Sequence, residues 1–527
     1  MVPRVRPLID RRRFLRQAMA LAAASLVPAG VVRAQTARVR FTGYPFTLGV
    51  ASGYPRPDGF SLWTRLAPEP LQIDGGIDRG DWLVATWQVS DDERFGRVVA
   101  QGEARAVHEL GRSIHVDVTG LRPGRRYFYR FIAGDEISPV GRTLTTPLAG
   151  RESGRLRFAF GSCQHYEQGY FEAYRHLLAD APDLMVFLGD YVYENSWGDD
   201  LVRRHVVAEP YELDDYRLRH AQYKTDPDLQ AAHASMPWLL TWDDHEVDND
   251  PAGDTAEHLD PRFLLRRAAA YQAYYEHMPL PRAMAPRVDG SMRIHGELAF
   301  GEHVRFFMLD NRQYRTANAC NDPVKGGGST DVVPAHCAEL RDPSRSMLGL
   351  DQERWLSHAL SSSNARWNIL SQQTLVTPVL GRDGDGRSTV WTDSWDGFPA
   401  ARDRLYRELE RPALRNPVVI GGDLHANVVC DIRRDTGRAD SPVLAAEICG
   451  TSISSQGWPQ AMYDDRLRDN PHLRFARSDR RGYALVTIER DARVDLRVID
   501  TEKKRGSIVE TAASFVIEDG RRGVEPA

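Results

Sequence analysis

The sequence predicts an all-β sandwich at the amino end followed by a larger α/β domain, and three observations predict it. From Phe41 to about Thr146, short β-prone runs alternate with Gly, Pro and Asp turns, the spacing of a small sandwich. From about residue 155, short apolar runs alternate with amphipathic stretches of helical period, as in a parallel sheet with crossover helices. The chain has 527 residues, too many for one ordinary core when domains average roughly 100–200 residues. Its 42% hydrophobic and 27% charged residues are those of a globular protein.

Before the sandwich, residues 1–34 carry paired arginines (Arg11, Arg12), then Phe14, Leu15 and Arg16, an Ala-rich apolar run, and Val32-Arg33-Ala34 as a cleavage site. That order is the order of a twin-arginine export signal, and it predicts a periplasmic or extracellular protein with the twin-arginine translocation machinery as a partner. The apolar run from Ala18 to Gly30 is shorter than the ~20 residues that span a bilayer, so no stable membrane span is expected. These 34 residues hold seven arginines and one aspartate, and their removal takes the formal net charge from −5 to −11. Such a surface excludes a nucleic-acid scaffold and an anionic membrane as electrostatic partners, and a monomer is expected. An anionic substrate would need bound cations to supply positive charge.

The sandwich, residues 41–147, is built from "FTLGVAS", "GFSLWTRL", "DWLVATWQVS", "SIHVDVTGL", "RRYFYRFIAG" and "VGRTLTT". In "GLRPGRRYFYR", Leu121, Pro123 and Tyr127 are placed as in the tyrosine corner of Ig/fibronectin-like domains. "PLAGRESG" reads as a linker. The second domain, residues 155–515, opens with "LRFAF" and an amphipathic stretch from Tyr170 to Leu178, followed by "LMVFLG", "WLLTW", "VRFFMLD", "RWNILS" and "NPVVIGGD" as strands. Helices are expected over 350–360 and 261–276, the latter with Asp260 as cap before a first-turn proline. The last hundred residues return to strands, with "EDGRRGVEPA" as a tail.

Five cysteines in an exported chain leave at least one unpaired. Cys320 and Cys337 bracket a Gly-, Asp- and Pro-rich segment and are the disulfide candidates for an oxidising compartment. Cys430 and Cys449 lie on or near strands as buried thiols, with a second bridge left open. Cys163 remains.

Four strands end in groups that bind metals: "FGSCQH" with Cys163, "LGDYVYE" with Asp190 and Tyr193, "TWDDHEVDND" with Asp243, Asp244, His245, Asp248 and Asn249, and "IGGDLHAN" with Asp423 and His425. A lone Asp after a strand is more often a turn or a helix cap. Four such endings in parallel strands point to one metal-binding edge. A phenol ordinarily loses its proton only near pH ~10, so it coordinates at neutral pH only to a strongly acidic metal, and packing is the competing role for Tyr193.

These motifs, with "FTLGVASGYPRPDGFSLWTRLAP", "EICGTSISS" and "DRRGYALV", resemble the PhoD-type alkaline phosphatases, exported members of the calcineurin-like metallophosphoesterase superfamily, from about Phe41 to about Val498. The resemblance implies an αββα catalytic sandwich behind the Ig-like domain. It also implies a cluster of Fe3+ with Ca2+, and hydrolysis of phosphate mono- and diesters by a metal-activated water. By position it makes Cys163, Asp190, Tyr193, Asp423 and His425 iron-side ligands and Asp244 the calcium-side ligand, with Asn249 as a further candidate. "GSCQ" stands where the wider superfamily has Asp-x-His.

Within that reading Asp190 bridges the metals, and His245 binds phosphate, protonates the leaving oxygen, or orients a ligand. Arg312 in "LDNRQYR" is a candidate phosphate contact. The substrate is a small-molecule or lipid phosphoester. The alternatives are a phosphodiesterase or phospholipase D acting mainly on diesters, and a non-catalytic binding module with a closed metal site.

Overall fold

The computed structural model describes residues 41–527 apart from 79–82, 152–153, 322–325 and 439; the export signal expected over residues 1–34 lies outside the described residues. A ten-stranded and a seven-stranded sheet form the centre. In the first, the parallel strands Leu156–Gly161, Leu184–Leu188 and Pro237–Thr241 lie side by side. In the second, Val304–Met308, Trp367–Ser371, Pro417–Gly421 and Val443–Cys449 are parallel neighbours. Continuous apolar runs suit these strands because both faces are covered. Phe158 of one sheet meets Phe306 of the other edge to face, ring centroids 5.1 Å apart, in a core shared with Phe160, Ile369 and Ile420. The alternate residues Phe307, Leu370 and Val419 pack in a separate cluster with Leu356 and Leu405 of helices Leu350–Ser361 and Pro399–Leu409. Helices Ala173–Asp180, Leu213–Lys224, Pro227–Ser235 and Phe263–His277 cover the ten-stranded sheet. The order is αββα.

Local chemistry sets the helix starts. Asp226 accepts the N–H groups of Asp228 and Leu229 at 3.0 and 3.3 Å, and Pro227 follows it at the first helical position. The expected cap at Asp260 is corrected: that helix begins at Phe263 with Arg262 at the N-cap. Asp260 instead accepts the Arg262 backbone N–H at 2.8 Å and holds its guanidinium, a local turn that competes with helix.

In the amino-terminal region, Leu83–Ser90, Val98–Ala106, Arg126–Ala133 and two shorter strands make a five-stranded sheet. It packs on Val50–Arg56, Gly59–Arg65 and Ser113–Val118 through Phe60, Leu62, Val89, Tyr129 and Phe131. The tyrosine corner is present, with the Tyr127 hydroxyl accepting the Arg122 N–H at 3.0 Å. The second layer is shared. Ser52 and Gly53 pair in parallel with Pro237 and Trp238, so this layer is one end of the ten-stranded sheet.

Arg481–Ile488, Ala492–Ile499, Val509–Ile517 and Glu525–Pro526 form the other end of that sheet. "EDGRRGVEPA" is therefore anchored rather than a loose tail, with the Val524 N–H on Asp431 at 3.1 Å and Arg522 on the Leu444 carbonyl at 3.0 Å. Cys320 and Cys337 form a disulfide. Cys163, Cys430 and Cys449 are free and buried, so no second bridge forms. Among the described residues no helix is long and apolar enough to cross a membrane.

Candidate metal centre

All four predicted motifs meet, but not from one sheet. Cys163, Asp190 and the 243–246 turn follow adjacent strands of the ten-stranded sheet, while Asp423 and His425 follow Pro417–Gly421 of the facing sheet. The chain bends sharply at three of the four endings. Cys163, Asp190, Asp423 and His425 all have left-handed backbone, with φ of 58°, 57°, 64° and 51°, a conformation that non-glycine residues adopt under constraint from their surroundings. Gly189, at φ 106°, lies so close to Asp243 that a Cβ would collide with its side chain. Gly422 is confined in the same way by Ser162.

Of the four groups of metal-binding atoms among the described residues, each within 4.8 Å, three share residues at this centre, Cys163–Asp190–His425, Asp190–Asp244–His245 and Asp243–Asp244–Asp423, and the fourth is His165–Glu167–His205. Asp190 belongs to the first and second and Asp244 to the second and third. The Tyr193 phenol sits beside the first group, donating to Asp190 Oδ2 at 2.8 Å and 3.1 Å from His425 Nε2. His425 Nδ1 donates to the Gln456 carbonyl at 2.5 Å, which leaves the Nε2 lone pair for a ligand role. Asp423, assigned by resemblance to the iron side, groups here with Asp243 and Asp244. The structure gives Asn249 no side-chain hydrogen bond to any of these residues; Asp250 beside it donates its N–H to Asp244 Oδ2 at 3.1 Å.

The electrostatics call for cations. Burial first, and then Asp190, pushes the Cys163 thiol and the Tyr193 phenol well above their usual ranges. Burial, followed by the neighbouring aspartates, pushes Asp243 and Asp423 up despite Arg312. Asp190 Oδ1 and Asp243 Oδ2 are buried without a hydrogen-bond partner. Buried carboxylate oxygens that no donor satisfies, crowded with a thiol, a phenol and a histidine, fit multivalent cations, which would take the place of the protons. Asp244 differs: burial would raise it, but Arg312 and His245 pull it below the usual carboxylate range.

Sequence reasoning missed the residues that hold this arrangement. Glu246 accepts the N–H groups of Asp190, Tyr191 and Asp243 at 3.1, 2.7 and 2.9 Å, clamping two ligand loops together. Its position three after Asp243 is a capping-box spacing, the one signal that pointed to it. Glu194 accepts from His245 Nδ1 at 2.7 Å. Burial favours the neutral His245 ring, yet Glu194, Asp244 and Asp190 outweigh it and hold the imidazolium well above its usual range. The Ser455 hydroxyl lies 2.9 Å from the Tyr193 phenol oxygen and 3.0 Å from the His165 N–H. Arg312, read as a phosphate contact, is 3% exposed and committed to Asp243, to Asp393 at 2.8 Å and to Asp244 at 3.4 Å. It acts as the internal counter-charge of the aspartate group.

Comparison with known proteins gives the same answer. Residues 158–496 match the PhoD-like phosphatase family, and residues 32–147 match the PhoD-like phosphatase N-terminal domain. The chain is 41% identical to alkaline phosphatase D of Bacillus subtilis (strain 168), over 98% of its own length and 88% of that protein. A solved structure described as the structure of PhoD superposes with a TM-score of 0.87 at 40% identity, covering 93% of each chain. With these strand endings, their converging ligands and this match along nearly the whole length, the chain belongs to the PhoD-like phosphatase family and is a phosphoric ester hydrolase.

Proposed function

We propose that this phosphatase hydrolyses phosphate mono- and diesters with Fe3+ at Cys163, Asp190, Tyr193 and His425 and Ca2+ at Asp190, Asp244, Asp243 and Asp423. The observation that carries the proposal is Asp190, shared by two ligand groups and left with one buried oxygen unpaired. Soft thiolate and phenolate favour the electron-poor metal, and the all-carboxylate group favours the hard one. Bound there, the cations supply Lewis acidity, polarising a phosphoryl oxygen and lowering the pKa of an attacking water.

The chain's own part is positional. Glu246 fixes the spacing of the two loops, and Glu194 holds His245 by Nδ1 with Nε2 3.9 Å from Asp244 Oδ2. From that position Nε2–H can hydrogen-bond a phosphoryl oxygen or pass a proton to the leaving oxygen. The amino-terminal arginine pair supports export by the twin-arginine route to the periplasm or beyond. Metal content measured on the exported protein, together with rates on p-nitrophenyl phosphate and bis-p-nitrophenyl phosphate, tests this reading. Hydrolysis that persists after both metals are removed would overturn it.

A further inference from the structure

The cationic side chains nearest the centre already have partners. Arg312 is held by Asp243, Asp244 and Asp393, His245 by Glu194, and Arg481 by Ser452 Oγ and the carbonyls of His425, Ser455 and Ser478. Recognition of phosphate charge therefore falls to bound cations and to the Nε2–H of His245, which meet any phosphoester alike. Discrimination among esters needs a contact with the organic group.

The loop beside the centre offers that group an indole. Trp197 stacks on the His425 imidazole with ring centroids 6.0 Å apart and planes 7° from parallel. The ring of His165 meets it edge to face at 5.6 Å, and Tyr193 lies at 6.4 Å. Among the described residues no other ring or cation stacks on it, and the residue is 37% exposed. Its loop is fixed. Gln168 donates to the Trp197 carbonyl at 2.8 Å, and the Gln456 side chain accepts the Asp199 N–H at 3.0 Å. The carbonyl of the same Gln456 orients His425. One residue thus sets both the ligand ring and the loop that carries the indole. Aromatic side chains that are already fixed in place bind planar groups at low entropic cost.

We propose that Trp197 is a specificity-determining residue, a stacking platform for an aromatic ring carried by the substrate's organic group, so that aryl and nucleoside phosphoesters are bound in preference to alkyl ones. The inference rests on the phosphoesterase reading and adds the substrate class. Stacking of one ring pair corresponds to roughly a 3- to 10-fold change in affinity.

The test measures KM for p-nitrophenyl phosphate and for glycerol 3-phosphate, and competitive inhibition by phenylphosphonate and by methylphosphonate. It compares the unaltered enzyme, Trp197→Ala and Trp197→Phe, with metal content read on each sample. Comparing variants on one substrate cancels the leaving-group chemistry. Expected is a roughly 3- to 10-fold weakening for the aryl compounds alone in Trp197→Ala, largely restored in Trp197→Phe. Equal weakening for aryl and alkyl compounds, or loss of metal with both, would make Trp197 a cover for His425 and overturn the proposal. So would unchanged constants throughout. Absence of ester hydrolysis in the unaltered metal-loaded protein would instead remove the reading on which it rests.

Discussion

At the seam between the amino-terminal sandwich and the catalytic sheets, Arg217 lays its guanidinium on both oxygens of Glu276 at 2.6 and 2.7 Å, and Gln272 donates to one of them at 2.9 Å. At the strand ends, by contrast, Asp190 and Asp243 each keep one buried oxygen with no donor. Both regions bury charge, and both contain left-handed residues, since Tyr54 and Arg112 near the seam have φ of 48° and 63°. Neither burial nor strained backbone therefore marks the functional region. What separates them is acceptor accounting: every Glu276 oxygen is paired within the chain, whereas the site has more carboxylate oxygens than donors. A buried acceptor left over at a strand end is a request for a cation.

Removing the shared ligand should separate the two regions most strongly. With Asp190→Ala, hydrolysis is expected to fall on the order of 1,000-fold, with both metal loadings reduced, because one carboxylate serves two ligand groups. The unfolding free energy of the metal-free protein should move by no more than about 2 kcal/mol, since the deleted group was only half satisfied. Assays of rate, metal content and denaturant unfolding on one preparation decide this, and near-normal metal with near-normal rate would rule out the bridge. Arg217→Ala should do the opposite. It leaves Glu276, at 0% side-chain exposure, without its guanidinium counter-charge and with only the Gln272 amide donating to it, so stability should drop by about 3–5 kcal/mol while kcat/KM of the folded fraction stays unchanged. Replacing both partners by apolar residues should recover much of that loss.

Glu246→Gln falls between the extremes. The amide retains one oxygen for the three N–H groups that the carboxylate accepts, so the loops stay close but lose their register. Activity should fall about 10- to 100-fold, with metal affinity weakened and the fold retained. A purely structural Glu246 would instead lower stability and leave the rate of metal-loaded enzyme unaltered.

The difference between the regions also explains what was legible in the sequence. Strand endings such as "LMVFLGD" are local signals, because an apolar run that stops at Gly-Asp encodes both a buried strand and its exit. The pairing of Gly53 with Trp238 is not local, so the continuity of sandwich and catalytic sheet was invisible. Val98–Ala106 was missed because, as an edge strand, it is mostly exposed and carries Gln, Glu and Arg where a buried strand carries apolar residues. Grouping Asp423 with Asp243 required knowing that the fourth motif faces the others from a second sheet. Glu246 and Glu194 act on backbone N–H groups and on a histidine ring far away in sequence, and residue type alone does not reveal that.

The finest test of the contrast is Tyr193→Phe, which removes one oxygen from the site and nothing from the packing. At the seam such a change at a paired hydroxyl costs about 1 kcal/mol and leaves no spectral trace. At the site the phenol is wedged between Asp190, His425 and Ser455, where burial and Asp190 keep its proton on unless a strongly acidic cation takes its place. On the proposed assignment that cation is ferric, and charge transfer from phenolate to iron colours the enzyme; a closed-shell metal would leave it colourless. Tyr193→Phe should weaken or shift the visible band, with activity reduced about tenfold, less than in Asp190→Ala, because the other ligands remain. Cys163→Ser is the companion, since a thiolate on ferric iron absorbs too, and the two variants should change different parts of the spectrum. An unchanged spectrum in Tyr193→Phe at full iron occupancy would make this tyrosine a packed hydrogen-bond donor beside a metal it does not touch.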